Sequence, residues 1–161
     1  MRNHLDEMIT LRALTEAEFD NFSRRSISEY AENMIESHEW DRSTALANAT
    51  MMFNKTLPQG LRTPTHQFFS IRPVDMEYAV GNIWIRIDIH DRSAFILDIF
   101  VEPEYRGRGY ASRAIPKIEH YARKLGAATI RLHVFGPNHA AQRLYNKLGF
   151  TVSHATMVKG L

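Results

Sequence analysis

Between positions 80 and 89 an isoleucine stands at every second residue, Ile83, Ile85, Ile87 and Ile89. After the turn His90-Asp91-Arg92-Ser93 the chain is almost wholly apolar over residues 94–101, with Asp98 its one charge. The alternation fits a long strand with one buried face, and the continuous run fits a strand buried on both faces at a sheet's centre. A sheet with such a centre must be covered, so helices are expected over it.

The rest of the chain supplies them. Residues 8–14 alternate well enough for a short first strand. Thr15 followed by Glu18 forms the pattern of a capping box. From Phe19 to Ile35 apolar residues recur at helical intervals, predicting one long or broken helix to about His38. Asp41 or Ser43 caps a second helix, which must end before Leu57-Pro58-Gln59-Gly60. The period is two from Gln67, and a second strand carrying Phe69 and Ile71 stops at Arg72-Pro73. Past residue 101 come a glycine loop and a helix to Leu125 closed by Gly126. Pro116 inside that helix removes a backbone bond. A strand over 129–135, a helix opened by Asn138 and closed by Gly149, and a terminal strand over 150–158 complete the order. Hairpins come first and crossovers later, so the expected fold is α/β, a mixed sheet with helices on both faces.

The length, 161 residues, suits one domain spanning 1–161. Lys plus Arg number 20 against 18 Asp plus Glu, an excess of two, too small for the basic stripe of a nucleic-acid partner. There is no cysteine, which excludes disulfides, thiolate zinc sites and a cysteine nucleophile. No apolar run approaches a membrane span and the first residues do not read as a signal peptide, so a cytoplasmic protein is expected. His38-Glu39 lacks the second histidine of a His-Glu-x-x-His zinc site, and no metal is expected. No Gly-x-Ser-x-Gly elbow supports a hydrolase.

The loop Arg106-Gly107-Arg108-Gly109-Tyr110-Ala111 joins a strand to a helix. Backbone N–H groups at such a junction form an anion site, to which Arg106 and Arg108 add charge. An ordinary tight connection would use the same glycines. A phosphate-binding P-loop needs Gly-Lys-Ser/Thr, which is absent. The dinucleotide fingerprint would place its third glycine at Ser112 and wants an acidic residue ending the next strand, which here reads Arg131-Leu132-His133-Val134-Phe135.

Arg106, Gly109 and Ala111 match the Arg/Gln-x-x-Gly-x-Gly/Ala pyrophosphate loop of the GNAT superfamily of acyl-CoA-dependent N-acyltransferases, and residues 99–105 resemble that family's fourth strand and the turn after it. Residues 138–150 resemble its second signature, Asn-x-x-Ala-x-x-Leu-Tyr-x-x-Leu-Gly-Phe. The resemblance implies a largely antiparallel GNAT-type sheet and transfer of an acetyl group from acetyl-CoA, as co-substrate, to an amine. It implies that the backbone of Ile99 and Val101 pairs with the pantetheine arm, that an N–H near Phe100 holds the oxyanion, and that Gly107, Arg108, Gly109, Tyr110 and Ala111 beside Arg106 hold the pyrophosphate. Asn138 is expected both to cap its helix and to meet the cofactor arm. Tyr145 resembles the family's proton donor to the leaving thiolate, although its spacing equally suits a core aromatic. Dimers are common in the family, and a homodimer is compatible with the chain.

The acceptor side is less determined. Asp98 either lines the acceptor cavity and takes the amine's proton, or is a satisfied polar residue at a bulge. Glu29 and Glu32, on the helix expected to overhang the acceptor, are candidates to bind it, although a solvated helix face fits them as well. His133 is expected to be a hydrogen-bonded strand residue. A small-molecule amine is the leading acceptor, since the 57–66 loop could roof the site. A protein N-terminal or lysine acetyltransferase, or a silent acyl-CoA-binding domain, are the alternatives.

Overall fold

The isoleucine-rich strand lies in the middle of a five-stranded sheet. The structure, a computed structural model, describes residues 8–161. In chain order its elements are β1 (Ile9–Ala13), α1 (Glu16–Glu36), α2 (Arg42–Thr56), a 3-10 turn (Gly60–Arg62), β2 (His66–Pro73), β3 (Gly81–Asp88), β4 (Ser93–Val101), a second 3-10 turn (Pro103–Tyr105), α3 (Tyr110–Lys124), β5 (Thr129–Leu132) and α4 (His139–Lys147). The strands lie side by side in chain order. The first four are antiparallel, and β5 runs parallel to β4, as a connection through a helix permits.

Each face of the sheet has its own cover. Ile83, Ile85 and Ile87 point to the face packed by Ala114, Ile115, Ile118 and Ala122 of α3. Ile71, Ile83, Ile85, Ile115 and Ile118 have no exposed surface, and burial of each contributes about 1.5–3 kcal/mol. On the opposite face Phe19 and Phe22 of α1 meet Phe68 and Trp84, with Phe22 edge-on to Trp84 at 5.8 Å between centroids. Ala31, Ala45 and Ala49 form a separate small cluster that brings α1 against α2. The capping box is present: Thr15 Oγ1 accepts from the Glu18 N–H at 3.3 Å, and Glu18 accepts from the Thr15 N–H at 2.8 Å. It opens an unbroken α1 of 21 residues. Asp41 takes the N-cap position of α2 without a side-chain cap bond.

Several elements differ from expectation. β3 ends at Asp88, whose carboxylate accepts from the His90 N–H at 2.9 Å and starts the turn, so Ile89 is exposed. The expected strand over 129–135 stops at Leu132, where its pairing with β4 ends, and His133 is exposed beyond it with its ring edge-on to Phe95 at 5.0 Å. The terminal strand over 150–158 does not form. Phe150 packs against the core, but Val152, Met157 and Val158 are 80%, 94% and 72% exposed, and a β-prone segment with no neighbour to pair among the described residues gains little from extension. Leu57 and Leu61 of the 57–66 loop, expected as a roof, pack into the Phe19–Phe22–Trp84 cluster, and no residue of the loop lines the cleft around Arg25.

Candidate active site

Phe22, Arg25 and Glu29 follow one another along α1 on the stripe that faces the sheet. Phe22 is buried, so the next residue on the stripe is carried inward with it. Arg25 NH2 donates to Asp98 Oδ2 at 2.6 Å and to Asn82 Oδ1 at 2.8 Å, and NH1 donates to Glu29 Oε2 at 2.5 Å. Its guanidinium lies 4.0 Å from the centroid of the Phe100 ring. Three elements, α1, β3 and β4, therefore converge on one cation. Around it opens a cleft of about 470 Å³, lined by Asn21, Phe22, Arg25 and Glu29 of α1, by Asn82 and Phe100, and by Glu18, Glu102, Pro103 and Arg106. Burial pushes the Asp98 carboxyl up, against the opposing pull of Arg25 and of a hydrogen bond from the backbone N–H of Ile99. Burial likewise raises Glu29, with Arg25 opposing and Asp98 adding to the rise.

The placement of Asp98 depends on a register break. Trp84 pairs with Asp98 but Ile85 pairs with Ile96, leaving Leu97 as an extra residue in β4. Leu97 and Asp98 consequently both turn to the α1 face, as a bulge allows.

Among the described residues, β4 has no second neighbour beyond the bulge. Pairing with β5 ends at Ile96↔Leu132, while β4 runs on to Val101. The ladder determines which groups this leaves open. Ile87 donates its N–H to the Thr65 carbonyl, and Glu102 donates to the Val80 carbonyl, both at 2.9 Å. With the alternation of antiparallel pairs, the Asn82↔Phe100 and Trp84↔Asp98 pairs are the ones that exchange bonds. Phe100 therefore directs its N–H and C=O to β3, and Ile99 and Val101 direct theirs to the open edge. The oxyanion donor expected near Phe100 cannot be the N–H of Phe100 itself. Arg106 Nε donates to the Val101 carbonyl at 2.8 Å, which agrees with an edge turned outward.

That edge leads into the glycine loop. Gly107 and Gly109 have φ of 73° and 79°, a region open to glycine at little cost. Gly109 is the N-cap of α3 and makes no side-chain cap bond, so the first N–H groups of α3 keep their donors for an anion. Arg106 and Arg108 flank the loop, and Arg113 NH1 donates to the Arg108 carbonyl at 2.8 Å. Tyr145 comes from the other side, on α4. It is 8% exposed, and burial first, then the negative charge of Asp98, pushes its phenol up to about 12.

Residues 21–150 match the model of the acetyltransferase (GNAT) family. The chain belongs to the GNAT acetyltransferases. It is 32% identical over 155 residues to the N-acetyltransferase YycN of Bacillus subtilis, covering 95% of this chain and 99% of that one. The crystal structure of YycN superposes with a TM-score of 0.90, over 95% of this chain and 98% of that one. A shorter match, 41% identical over 58 residues and covering 36% of this chain and 34% of the other, is to the thialysine N-epsilon-acetyltransferase of Bos taurus.

Within this GNAT fold the expected site residues separate into two groups. Arg106, Gly107, Arg108, Gly109, Tyr110 and Ala111 form the continuous turn onto α3, and Asp98, Glu29 and Phe100 gather about Arg25, with Glu29 and Phe100 in the cleft lining and Asp98 behind Arg25 outside it. Glu32 does not join them: it is 55% exposed and lies 3.4 Å from Arg42, outside the cleft lining. Asn138 caps α4, accepting from the Ala141 N–H at 3.1 Å, and lines a separate cavity of about 220 Å³ with Asn33, Glu36, Ser37, Phe135 and Pro137. Arg25, Asn82 and Arg113 were not singled out from the sequence. For Arg25 the signal was present, since a charge three residues after a core phenylalanine and four before a glutamate sits on the buried stripe of its helix.

Proposed function

We propose that the chain, as one domain, transfers the acetyl group of acetyl-CoA to a primary amine of a small molecule, by direct attack within a ternary complex. The observation that supports this reading is the edge of β4 at Ile99 and Val101, which no strand among the described residues pairs, leading through the Pro103–Tyr105 turn to Gly107 and Gly109. A pantetheine arm carries amides that can pair with such an edge as a further strand would. The N–H groups of Gly107 to Ala111 and the charges of Arg106 and Arg108 receive the pyrophosphate.

A backbone N–H of the open edge beside Phe100 is the donor for the oxyanion formed as nitrogen attacks the thioester carbonyl, that of Ile99 being shared with the Asp98 carboxylate. Glu29 helps hold the acceptor as an ammonium, Asp98 takes one proton from it so that the neutral nitrogen can attack, and the second proton, shed as the amide forms, restores Tyr145. As the C–S bond breaks, Tyr145 gives its proton to the departing sulfur. A phenol near 12 lies above an ordinary thiol by an amount worth about 5 kcal/mol. The proton must therefore move together with C–S cleavage, and Tyr145 stays protonated throughout the neutral range.

Support for a small acceptor comes from the cleft. Its volume lies in the range of small-ligand sites, and Glu18, Glu29 and Glu102 share its lining with Arg25 and Arg106, a charged wall suited to a polar amine. A relative whose name specifies thialysine is consistent with such an acceptor.

A thiol-release assay with acetyl-CoA across polyamines, amino acids, aminoglycosides and peptides tests the reading. Amine-dependent release, fastest with a small amine, is expected. Preference for peptides would move the chain to the protein acetyltransferases, and binding of acetyl-CoA without amine-dependent release would make it a silent domain.

A further inference from the structure

Arg25 is expensive to keep where it is. Its side chain is 18% exposed, and its Nε is buried with no hydrogen-bond partner among the described residues. An apolar residue would tether α1 to the aromatic face of the sheet without desolvating a cation or leaving a donor unpaired. Tethering alone does not account for it.

What the guanidinium does instead is hold one oxygen of Asp98, whose carboxylate also accepts from the backbone N–H of Ile99. NH2 takes Oδ2, and the same nitrogen is fixed by Asn82 Oδ1 while NH1 is fixed by Glu29. The planar fork is further held over the Phe100 ring. A guanidinium anchored at that many points holds the carboxylate in one orientation. We propose that Arg25 is the positioning residue of the proton-accepting step, holding Oδ2 of Asp98 so that Oδ1 receives the proton of the acceptor amine. The inference rests on the reading of Asp98 as proton acceptor. In the step an N–H bond of the acceptor's ammonium breaks and an O–H bond forms at Oδ1. The electron pair stays on nitrogen for attack on the carbonyl carbon, and Asp98 later returns the proton to solvent.

The charged surroundings fix the direction of the test. Arg25 and Glu29 face Asp98 from α1, and Tyr145 senses its charge from α4. Arg106 follows β4, and its positive charge reaches Glu29. Asn82 and Trp84 on β3 are neutral. Removing Arg25 takes away the principal positive charge beside a carboxyl already raised by burial, and it frees Glu29 to repel Asp98. Both effects raise Asp98 further, while protonated Tyr145 adds no charge.

The experiment is the pH profile of kcat/KM for the amine in Arg25→Met, Arg25→Lys and Asp98→Asn. Arg25→Met is expected to move the acid limb upward by about 1–3 pH units, with the KM for acetyl-CoA unchanged. Arg25→Lys is expected to bring the limb back toward the wild-type position. Arg25→Gln keeps a donor without the charge and gives the same readout as Met if the apolar variant does not fold. A limb unmoved in both uncharged variants, with Asp98→Asn abolishing it, would overturn the role of Arg25 alone. A wild-type limb surviving in Asp98→Asn would overturn the proton-acceptor reading itself.

Discussion

Trp84 lies opposite Asp98 across the β3–β4 ladder, and the next residue of β3 lies opposite Ile96. That skipped residue organises the site. Leu97 joins the aromatic cluster beneath α1, Asp98 reaches Arg25, and past the break β4 parts from β5. One extra residue thus supplies both the acidic group on one face and the open backbone at the edge.

The same pair of strands makes Gly81 irreplaceable. A Cβ built there would lie 2.1 Å from the Phe100 carbonyl oxygen, a backbone atom that cannot swing away. Gly81→Ala is expected to destabilise the fold by about 2–3 kcal/mol and to weaken acetyl-CoA binding, because β4 must shift at its open end. Urea titration and acetyl-CoA titration measure the two effects. Wild-type values in both would contradict the close approach of these strands.

Tyr145→Phe retains the ring that packs against Phe150 at 5.7 Å and removes only the hydroxyl. Turnover is expected to fall about 10²-fold or more, as for loss of a general acid, with the Kd for acetyl-CoA unchanged. Since the phenol stands near 12, the wild-type rate should show no basic limb from this residue below about pH 11. Equal turnover in the variant would return Tyr145 to a packing role.

His66 gives the fold a pH dependence separate from catalysis. Its Nδ1 accepts from Trp84 Nε1 at 2.8 Å, and burial first, then Arg86, lowers it from 6.5 to about 4. The unfolded chain therefore binds this proton at a higher pH than the folded one. Stability from neutral His66 is fully present above about pH 6.5 and is lost progressively as pH falls to about 4, by about 2 kcal/mol given its partial solvation. His66→Gln can still accept from Trp84 without titrating. Between pH 7 and 4 its Tm should fall less than that of the wild type, and parallel curves would remove His66 from the acid response.

Much of this arrangement was legible in the sequence wherever local chemistry decides. Thr15 and Glu18 cap α1, alternating isoleucines form β3, and the glycines beside Arg106 turn the chain onto α3. What could not be read depends on partners distant in the chain. Asp98 looked equally like a cavity carboxylate and a bulge residue because the bulge arises from the pairing of β4 with β3. Glu29 and Glu32 lie three residues apart, and only the packing of α1 directs the first to Arg25 and the second outward to Arg42. Residues 150–158 carried strand propensity, but no strand among the described residues pairs with them.

Amide hydrogen exchange resolved at single residues tests most directly the proposed pairing of acetyl-CoA with the open edge of β4. On saturation with acetyl-CoA the N–H groups of Ile99 and Val101 should exchange markedly more slowly. The N–H of Phe100, already bonded to β3, should change little by comparison. Unchanged exchange at Ile99 and Val101 in the acetyl-CoA complex would contradict the account.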